Sequence, residues 1–574
     1  MSEAEPKPAW ALALFGLIIL LSGALLAHLV RTSDGISVRD IRFAGTNGTM
    51  MSALLYVPAS ARADRRAPGI LAVHGYINSR ETQDGFAIEF ARRGYVVLSI
   101  DQTGHGYSGG PAFSNGFGGP DGLRYLRSLP MVDTSQIGLE GHSMGGWTVL
   151  AAAASMPDAY QSMVLEGSST GAPFAKEGST TWPRNLALVF SRYDEFSKIM
   201  WGVDRAVDVP TSDKLKAVFG TTASITEGRV YGAISSGTAR TLHQPSTTHP
   251  GDHFSTEAIG RATDWFASTL KGGTPKPASD QIWFWKEVGT GVGLIGFVMI
   301  LLGTFDILIR TSLFKSLRAP AVAAVDHRDK AWWRAFAVST TVPALLFFPA
   351  FIAAFMVLPA SFVLPQAVTT QIALWALSGA GVTLLINRFA GRPVSPSRSS
   401  ATARSNWSLC ILLAVVTVMV GYASLAIVDR VFHTDIRFWI VAVKLPSARQ
   451  LGVATIYIVP ITLAFLVTLK TLCHALTVRG DSGITRYSWA ALALTGGFIV
   501  MLGLVYGIFF ATGTLVTGFD PLSTVIALQF VPVLGVVAVI GLFTWRRTGS
   551  HRPGAILVGL LITLYTVAGT ATQV

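Results

Sequence analysis

Three stretches of the 574-residue chain place a serine between two glycines in the pattern Gly-x-Ser-x-Gly: Gly106-Tyr-Ser108-Gly-Gly110, Gly141-His-Ser143-Met-Gly145 and Gly167-Ser-Ser169-Thr-Gly171. A serine hydroxyl is a weak nucleophile until a neighbour takes its proton, and a tight turn is one way to expose it. The pattern alone is a weak signal, because about half a match is expected by chance at this content of glycine and serine. Context separates the three. Only Ser143 lies between an apolar strand pattern and a strong helical one, Met144 to Ser155. A turn there leaves the helix N-terminus beneath the serine, so backbone N–H groups and a partial positive charge face a developing oxyanion. Ser143 is the expected nucleophile, and Ser108 and Ser169 are expected loop residues.

The elements that must carry this turn lie between residues 37 and 271. Leu54–Val57, Ile70–His74, Tyr95–Asp101, Ile137–Glu140, Met163–Glu166, Leu186–Phe190 and about Arg240–Gln244 read as strands. Gly85–Arg93, Gly122–Leu129, Met144–Ser155 and Thr256–Leu270 read as helices between or after them. Such alternation predicts a mostly parallel sheet with helices on both faces, and a ligand site at the carboxyl ends of its strands.

Two further stretches join the serine turn. Ala72-Val-His74-Gly75-Tyr76 looks like a His-Gly oxyanion loop after a third strand, and Ser99-Ile-Asp101-Gln-Thr-Gly104-His105-Gly106-Tyr-Ser108 looks like an Asp-x-x-Gly-His-Gly-x-Ser loop. With Gly141–Gly146 as the elbow, residues 37–271 resemble the α/β-hydrolase superfamily, and Tyr56-Val-Pro58 through His74-Gly75 most resembles its dienelactone hydrolase and acylaminoacyl peptidase-like branch. The resemblance implies oxyanion donors from the backbone N–H groups of Tyr76 and Met144, and a chain order of serine, acid, histidine. It places the acid at Asp194, three residues past the apolar run Leu186–Ser191; Glu195 beside it reads as a solvated carboxylate at a helix start. The histidine stays open between His249, favoured by the family spacing after Pro245, and His253, which has an Asp-His-Phe context. His74, His105 and His142 are expected to be structural. Only about twenty residues separate Glu166 from Leu186, too few for the large helical cap of many relatives. The longer insertion, Glu195 to Thr238, offers a small lid with a helix at Phe196–Trp201, and Trp182, Phe113, Phe117 and Trp147 are candidates to line an acyl pocket.

No paired-ligand spacing for a metal stands out, and Gly104-His-Gly-Tyr-Ser-Gly lacks the helix and ribose carboxylate of a dinucleotide loop. The expectation is therefore no cofactor and no metal. Cys410 and Cys473 lie in apolar stretches and supply no disulfide framework.

The rest of the chain answers to a different solvent. Half of all residues are apolar and 14% are charged, against about 25% in ordinary globular domains; the mean hydropathy is +0.48. Residues 31–286 carry 24 Lys+Arg and 23 Asp+Glu, whereas residues 287–574 carry 20 and 8, so the whole net charge of +12 belongs to the apolar half. That placement suits topology signals in short loops and argues against nucleic acid as a partner. Trp10 to Val30 is long enough to cross about 30 Å of hydrocarbon and reads as an uncleaved anchor. Eight more candidate spans follow, near 288–310, 335–358, 365–386, 407–428, 450–473, 488–511, 521–545 and 554–572. Basic loops 310–334, 388–406, 470–487 and 546–553 alternate with loops poor in charge, which puts them in the cytoplasm and the hydrophilic block outside. Loop 429–449, with Arg430, Arg437, Lys444 and Arg449, breaks the alternation and reads as interfacial around Phe438 to Val443; Arg392 to Ser405 reads as a flexible cytoplasmic loop.

The expected protein has a cytoplasmic N-terminus (1–9), an anchor (10–30), an extracytoplasmic α/β-hydrolase domain (31–280) and an all-α polytopic domain of about eight transmembrane helices (281–574) in the cell membrane. The expected activity is cleavage of an ester, thioester or amide in a small-molecule, lipid or peptide acyl substrate, in contact with membrane lipids. Two alternatives stand beside it. One is a transporter or sensor with an inactive hydrolase-like binding domain, although Asp306, the intramembrane charge that stands out, lies near a helix end; the other is a membrane acyltransferase. Oligomeric state is not legible.

Overall fold

The computed structural model describes residues 9–389 and 406–574. Nearly all of the expected cytoplasmic N-terminus, and the loop Arg392 to Ser405, lie outside the described residues. Two compact units divide the chain. One comprises Leu25–Gly289, Val505–Leu522 and Gly569–Val574; the other comprises the described residues within Met1–Ala24, Thr290–Leu504 and Ser523–Ala568.

The first helix, α1 (Ala9–Arg31), leads into the sheet of the first unit. Eight strands, β1 (Ser37–Ala44), β2 (Met50–Val57), β3 (Ala67–Val73), β4 (Val96–Ile100), β5 (Val132–His142), β6 (Ser162–Glu166), β7 (Leu186–Val189) and β8 (Arg240–His243), lie in the order β1-β2-β4-β3-β5-β6-β7-β8. The pairs β1–β2 and β2–β4 are antiparallel and all others parallel. Residues of β3, β4, β6 and β7 are buried throughout, as strands covered on both faces must be. Successive side chains then sort to opposite faces. Leu71, Val73, Leu98 and Leu165 pack under α3 (Gly119–Ser128) and α4 (Met144–Ser155), whereas Ile70, Ala72, Val97 and Val164 pack under α2 (Asp84–Arg92) and α7 (Thr256–Thr269). The insertion before β8 forms two short helices, α5 (Ser197–Trp201) and α6 (Asp213–Phe219). Strand β1 was not legible: Arg39, Asp40 and Arg42 dilute its alternation, because it is a sheet edge that keeps much of its surface in water.

The remaining helices are α8 (Trp283–Leu308), α9 (Lys330–Leu345), α10 (Phe347–Val357), α11 (Ala367–Phe389), α12 (Trp407–Phe432), α13 (Ala448–Ala475), α14 (Gly483–Thr512), α15 (Pro521–Thr548) and α16 (Arg552–Gly569). Among the described residues, eight helices, α1 among them, are long and apolar enough to cross a bilayer, or nine if α9 and α10 form one broken span. Those two meet at 42°, just after Pro343, whose ring nitrogen cannot donate to the carbonyl four residues earlier. Within the second unit, backbones of α1 and α8 nearly touch: a Cβ on Gly303 would lie 2.3 Å from the backbone nitrogen of Ala13. Asp306 pairs with Arg310 at 2.9 Å and also with Arg547. The basic loops expected on one side meet each other, through Arg328 to Asp481 at 2.7 Å and a bridge between Val325 and Val478. The stretch expected to be interfacial is a hairpin of β9 (Ile436–Phe438) and β10 (Val441–Val443).

Candidate active site

Ser143 occupies the single residue between β5 and α4, with φ 55° and ψ −122°. That backbone is costly for any residue with a Cβ and persists only where the surroundings impose it. Here they do. A Cβ on Gly141 would lie 2.3 Å from the carbonyl oxygen of Gly145, and one on Gly145 would lie 2.1 Å from that of Val73, so only glycine lets the turn close against β3. The Ser143 N–H donates to the Glu166 carbonyl at 2.8 Å, and the Ser143 carbonyl accepts from Ser168 Oγ at 2.7 Å. The other two serines are held differently. Ser108 Oγ donates to the Asp101 carbonyl at 2.7 Å and accepts from the Ser52 N–H, whereas Ser169 is fully buried against Met200.

The loop after β3 runs beside this turn, and the Cβ position of Gly75 lies 3.1 Å from that of Ser143. His74 shapes that loop. Its Nε2 accepts from the Gln102 N–H at 3.2 Å, which leaves Nδ1–H to donate to the Gly75 carbonyl at 2.6 Å. Among the described residues, neither the Tyr76 nor the Met144 backbone N–H donates a hydrogen bond. Unsatisfied N–H groups in a protein interior are rare.

Asp194 and His249 meet on the other side. Asp194 Oδ2 lies 2.8 Å from His249 Nδ1, and Asp194 Oδ1 accepts from the Phe196 N–H at 2.8 Å. A bridge between Tyr193 and Thr248 holds the two loops together. His253 lies elsewhere: its ring packs on His142 at 4.2 Å and against Phe86 at 6.0 Å. His142 is structural in a specific sense. Its Nε2, which must carry the proton because a carbonyl only accepts, donates to the His249 carbonyl at 3.0 Å, and its ring lies 4.6 Å from that of His249. Burial pushes the His249 imidazole down to about 4 and raises the Asp194 carboxyl well above the usual carboxylate range, helped by Asp252. Both shifts favour the uncharged form of the group concerned.

Three features of the site escaped the sequence. Gly167 has φ 51°, and a Cβ there would lie 2.8 Å from His249 Nδ1 and 3.1 Å from both Asp194 Oδ2 and Asp252 Oδ2; the imidazole and two carboxylates converge over a bare backbone. Glu166, one residue earlier, is fully buried, and neither of its carboxyl oxygens has a hydrogen-bond partner among the described residues. Glu195 corrects an expectation. Far from being solvated it is 4% exposed, accepts from the His249 N–H at 2.8 Å and meets the Tyr506 hydroxyl at 2.8 Å. Burial and then the neighbouring Asp194 push its carboxyl up to about 8.

An aromatic wall flanks the Tyr76 loop. Phe113 stacks on Tyr76 at 5.7 Å and on Phe174 at 6.0 Å, and Phe174 also meets Phe117 and Trp147. Three of the four expected aromatic residues thus converge, around a fourth that was not expected; Trp182 pairs with Lys176 instead. No group of three or more potential metal ligands occurs among the described residues.

Residues 68–198 match the family model of the alpha/beta hydrolase fold. A monoacylglycerol lipase of Mycolicibacterium smegmatis is 30% identical over 142 residues, which are 23% of this chain and 46% of that protein, so the chain spans about half of its relative's length. Among solved structures, a dienelactone hydrolase from Anabaena variabilis is 18% identical over 41% of this chain and 99% of that one, with a TM-score of 0.29. An esterase from Pyrococcus furiosus is 17% identical over 41% of this chain and 90% of that one, with a TM-score of 0.30. The sheet-bearing unit has the α/β-hydrolase fold, and a region of long apolar helices accompanies it.

Proposed function

We propose that the protein is a membrane-bound serine hydrolase that cleaves a carboxylic ester, thioester or amide through an acyl-enzyme on Ser143. The 2.8 Å contact between Asp194 Oδ2 and His249 Nδ1, over Gly167 and next to the Glu166 carbonyl that the Ser143 N–H meets, is the observation that carries this reading. Asp194 orients the imidazole, and Nε2 takes the Ser143 proton as Oγ attacks the acyl carbon. The carbonyl oxygen gains charge between the N–H groups of Tyr76 and Met144. The imidazolium then protonates the leaving group, and water, deprotonated by the same nitrogen, releases the acid and restores the serine. The aromatic wall of Phe113, Phe117, Phe174 and Trp147 suits an apolar acyl chain. Together with the name of the Mycolicibacterium smegmatis relative, this supports an ester of a lipid as substrate.

The catalytic unit is extracytoplasmic in this reading. Residues 31–286, loop 512–520 and the segment after the last span are among the segments that alternating spans place on one side, and all three contribute to one compact unit.

Turnover of a p-nitrophenyl ester by the full chain in lipid nanodiscs tests the assignment. Ser143→Ala and His249→Ala are each expected to lose at least about 10³-fold in kcat. His253→Ala is expected to stay within about tenfold of wild type. Undiminished hydrolysis by folded Ser143→Ala contradicts the proposal.

A further inference from the structure

Asp194 is flanked on both sides by residues engaged with a segment more than 300 positions away. Before it, the Tyr193 ring packs edge-on against Phe510 at 5.1 Å and Phe509 at 6.1 Å. After it, Glu195 Oε1 lies 2.8 Å from the Tyr506 hydroxyl, while Glu195 Oε2 accepts from the His249 N–H at 2.8 Å. Val505, Phe509 and Leu515 form a small core of their own with Tyr193 and Tyr506 packed on it. Arg205, in the insertion that follows Glu195, bridges to Thr514. These contacts all lie inside the sheet-bearing unit, which includes Val505–Leu522.

The geometry has a chemical sense. A base must be held within a few tenths of an ångström of the proton it takes. The His249 main chain is tied at its carbonyl by His142 and at its N–H by Glu195. A buried carboxyl pays heavily for a charge beside a second carboxyl. Burial and then the adjacent Asp194 keep Glu195 neutral, against the opposing pull of its hydrogen bonds with the His249 amide and the Tyr506 phenol.

We infer that Tyr506 and Glu195 are positioning residues for the base, so that the end of α14 is part of the catalytic unit and sets the position of His249. This rests on the hydrolase reading above. The carbonyl of a neutral Glu195 accepts from His249, and its second oxygen serves Tyr506. Glutamine can make both contacts, alanine neither.

The test compares wild type, Ser143→Ala, Glu195→Gln, Glu195→Ala and Tyr506→Phe as full chains in nanodiscs, with p-nitrophenyl ester turnover, phosphonylation rate by a fluorophosphonate and Tm measured on each. Glu195→Ala is expected to lower kcat by about 10- to 100-fold and Tyr506→Phe by about fivefold, with KM within twofold and phosphonylation slowed in parallel. Glu195→Gln is expected to recover at least half of the wild-type kcat. A merely structural role moves Tm without this split between kcat and KM. If turnover depends on Ser143 while Glu195→Ala and Tyr506→Phe keep wild-type kcat, the positioning role is wrong and the hydrolase reading stands. Should Glu195→Ala fail to fold, Tyr506→Phe alone decides, since it removes one hydroxyl and keeps the ring. Turnover that persists in Ser143→Ala overturns both.

Discussion

Glu140, Glu166, Asp194 and Glu195 are buried around the serine turn, and among the described residues none pairs with a lysine or arginine. Burial raises all four, Glu140 to about 8 even though Gln83 Nε2 donates to both its oxygens. A carboxyl raised in the folded state stabilises the fold fully below its unfolded value near 4.5, and that contribution drains away as pH climbs toward 8. Glu140 costs about 1.4 kcal/mol of stability per pH unit across that window. Wild-type Tm should therefore fall from pH 5 to pH 8, and Glu140→Gln should fall less steeply; an equal slope in thermal melts contradicts the assignment of Glu140. At this scale legibility depended on separation in sequence. Ser143 and Asp194 sit at fixed offsets from apolar strand ends, so their side of the sheet was readable. Glu195 was not, because what buries it includes a tyrosine 311 positions away, and no local pattern announces that. The choice between His249 and His253 stayed open for a related reason: both follow β8 within one loop, and only the position of Asp194 tells them apart.

The strand-turn-helix that carries Ser143 works through contacts of backbone on backbone. Gly145 has the tightest of these, with the Val73 carbonyl 2.1 Å from where a Cβ would be. Gly145→Ala must push α4 off β3, which moves the Met144 N–H away from the serine. Ester turnover is expected to fall at least about 100-fold, and Tm to drop with it; a variant with wild-type kcat would show that the turn does not depend on this closure. The elements read from sequence were those with strong periodicity or unbroken apolar runs. The central strands and the long helices met that condition, and β1 did not. The candidate span 335–358 is two helices, since Pro343 leaves room for a bend that an apolar run does not reveal. Ridges of apolar residues locate a helix in a sequence; its break comes from a single missing donor.

At the scale of the molecule, the unit that holds the site is assembled from three stretches of chain, and the last two were read simply as parts of spans and the loops between them. Composition separates lipid-facing from water-facing chain but cannot show which helix end joins which domain. If the basic loops are cytoplasmic, the site and loop 512–520 share the opposite side. Cys410 and Cys473 are both buried, so single cysteines introduced as Arg62→Cys, Phe519→Cys and Arg479→Cys can be read without removing them. The first two should react with a membrane-impermeant maleimide on intact cells and the third only after lysis; any other grouping contradicts the topology. An activated serine at position 143 is read out by labelling with a membrane-impermeant fluorophosphonate, on intact cells with any outer layer permeabilised, followed by mapping of the modified peptide. One adduct is expected, on Ser143, formed before lysis, lost in Ser143→Ala and kept in Ser108→Ala and Ser169→Ala. No adduct, or an adduct on another serine, would contradict it.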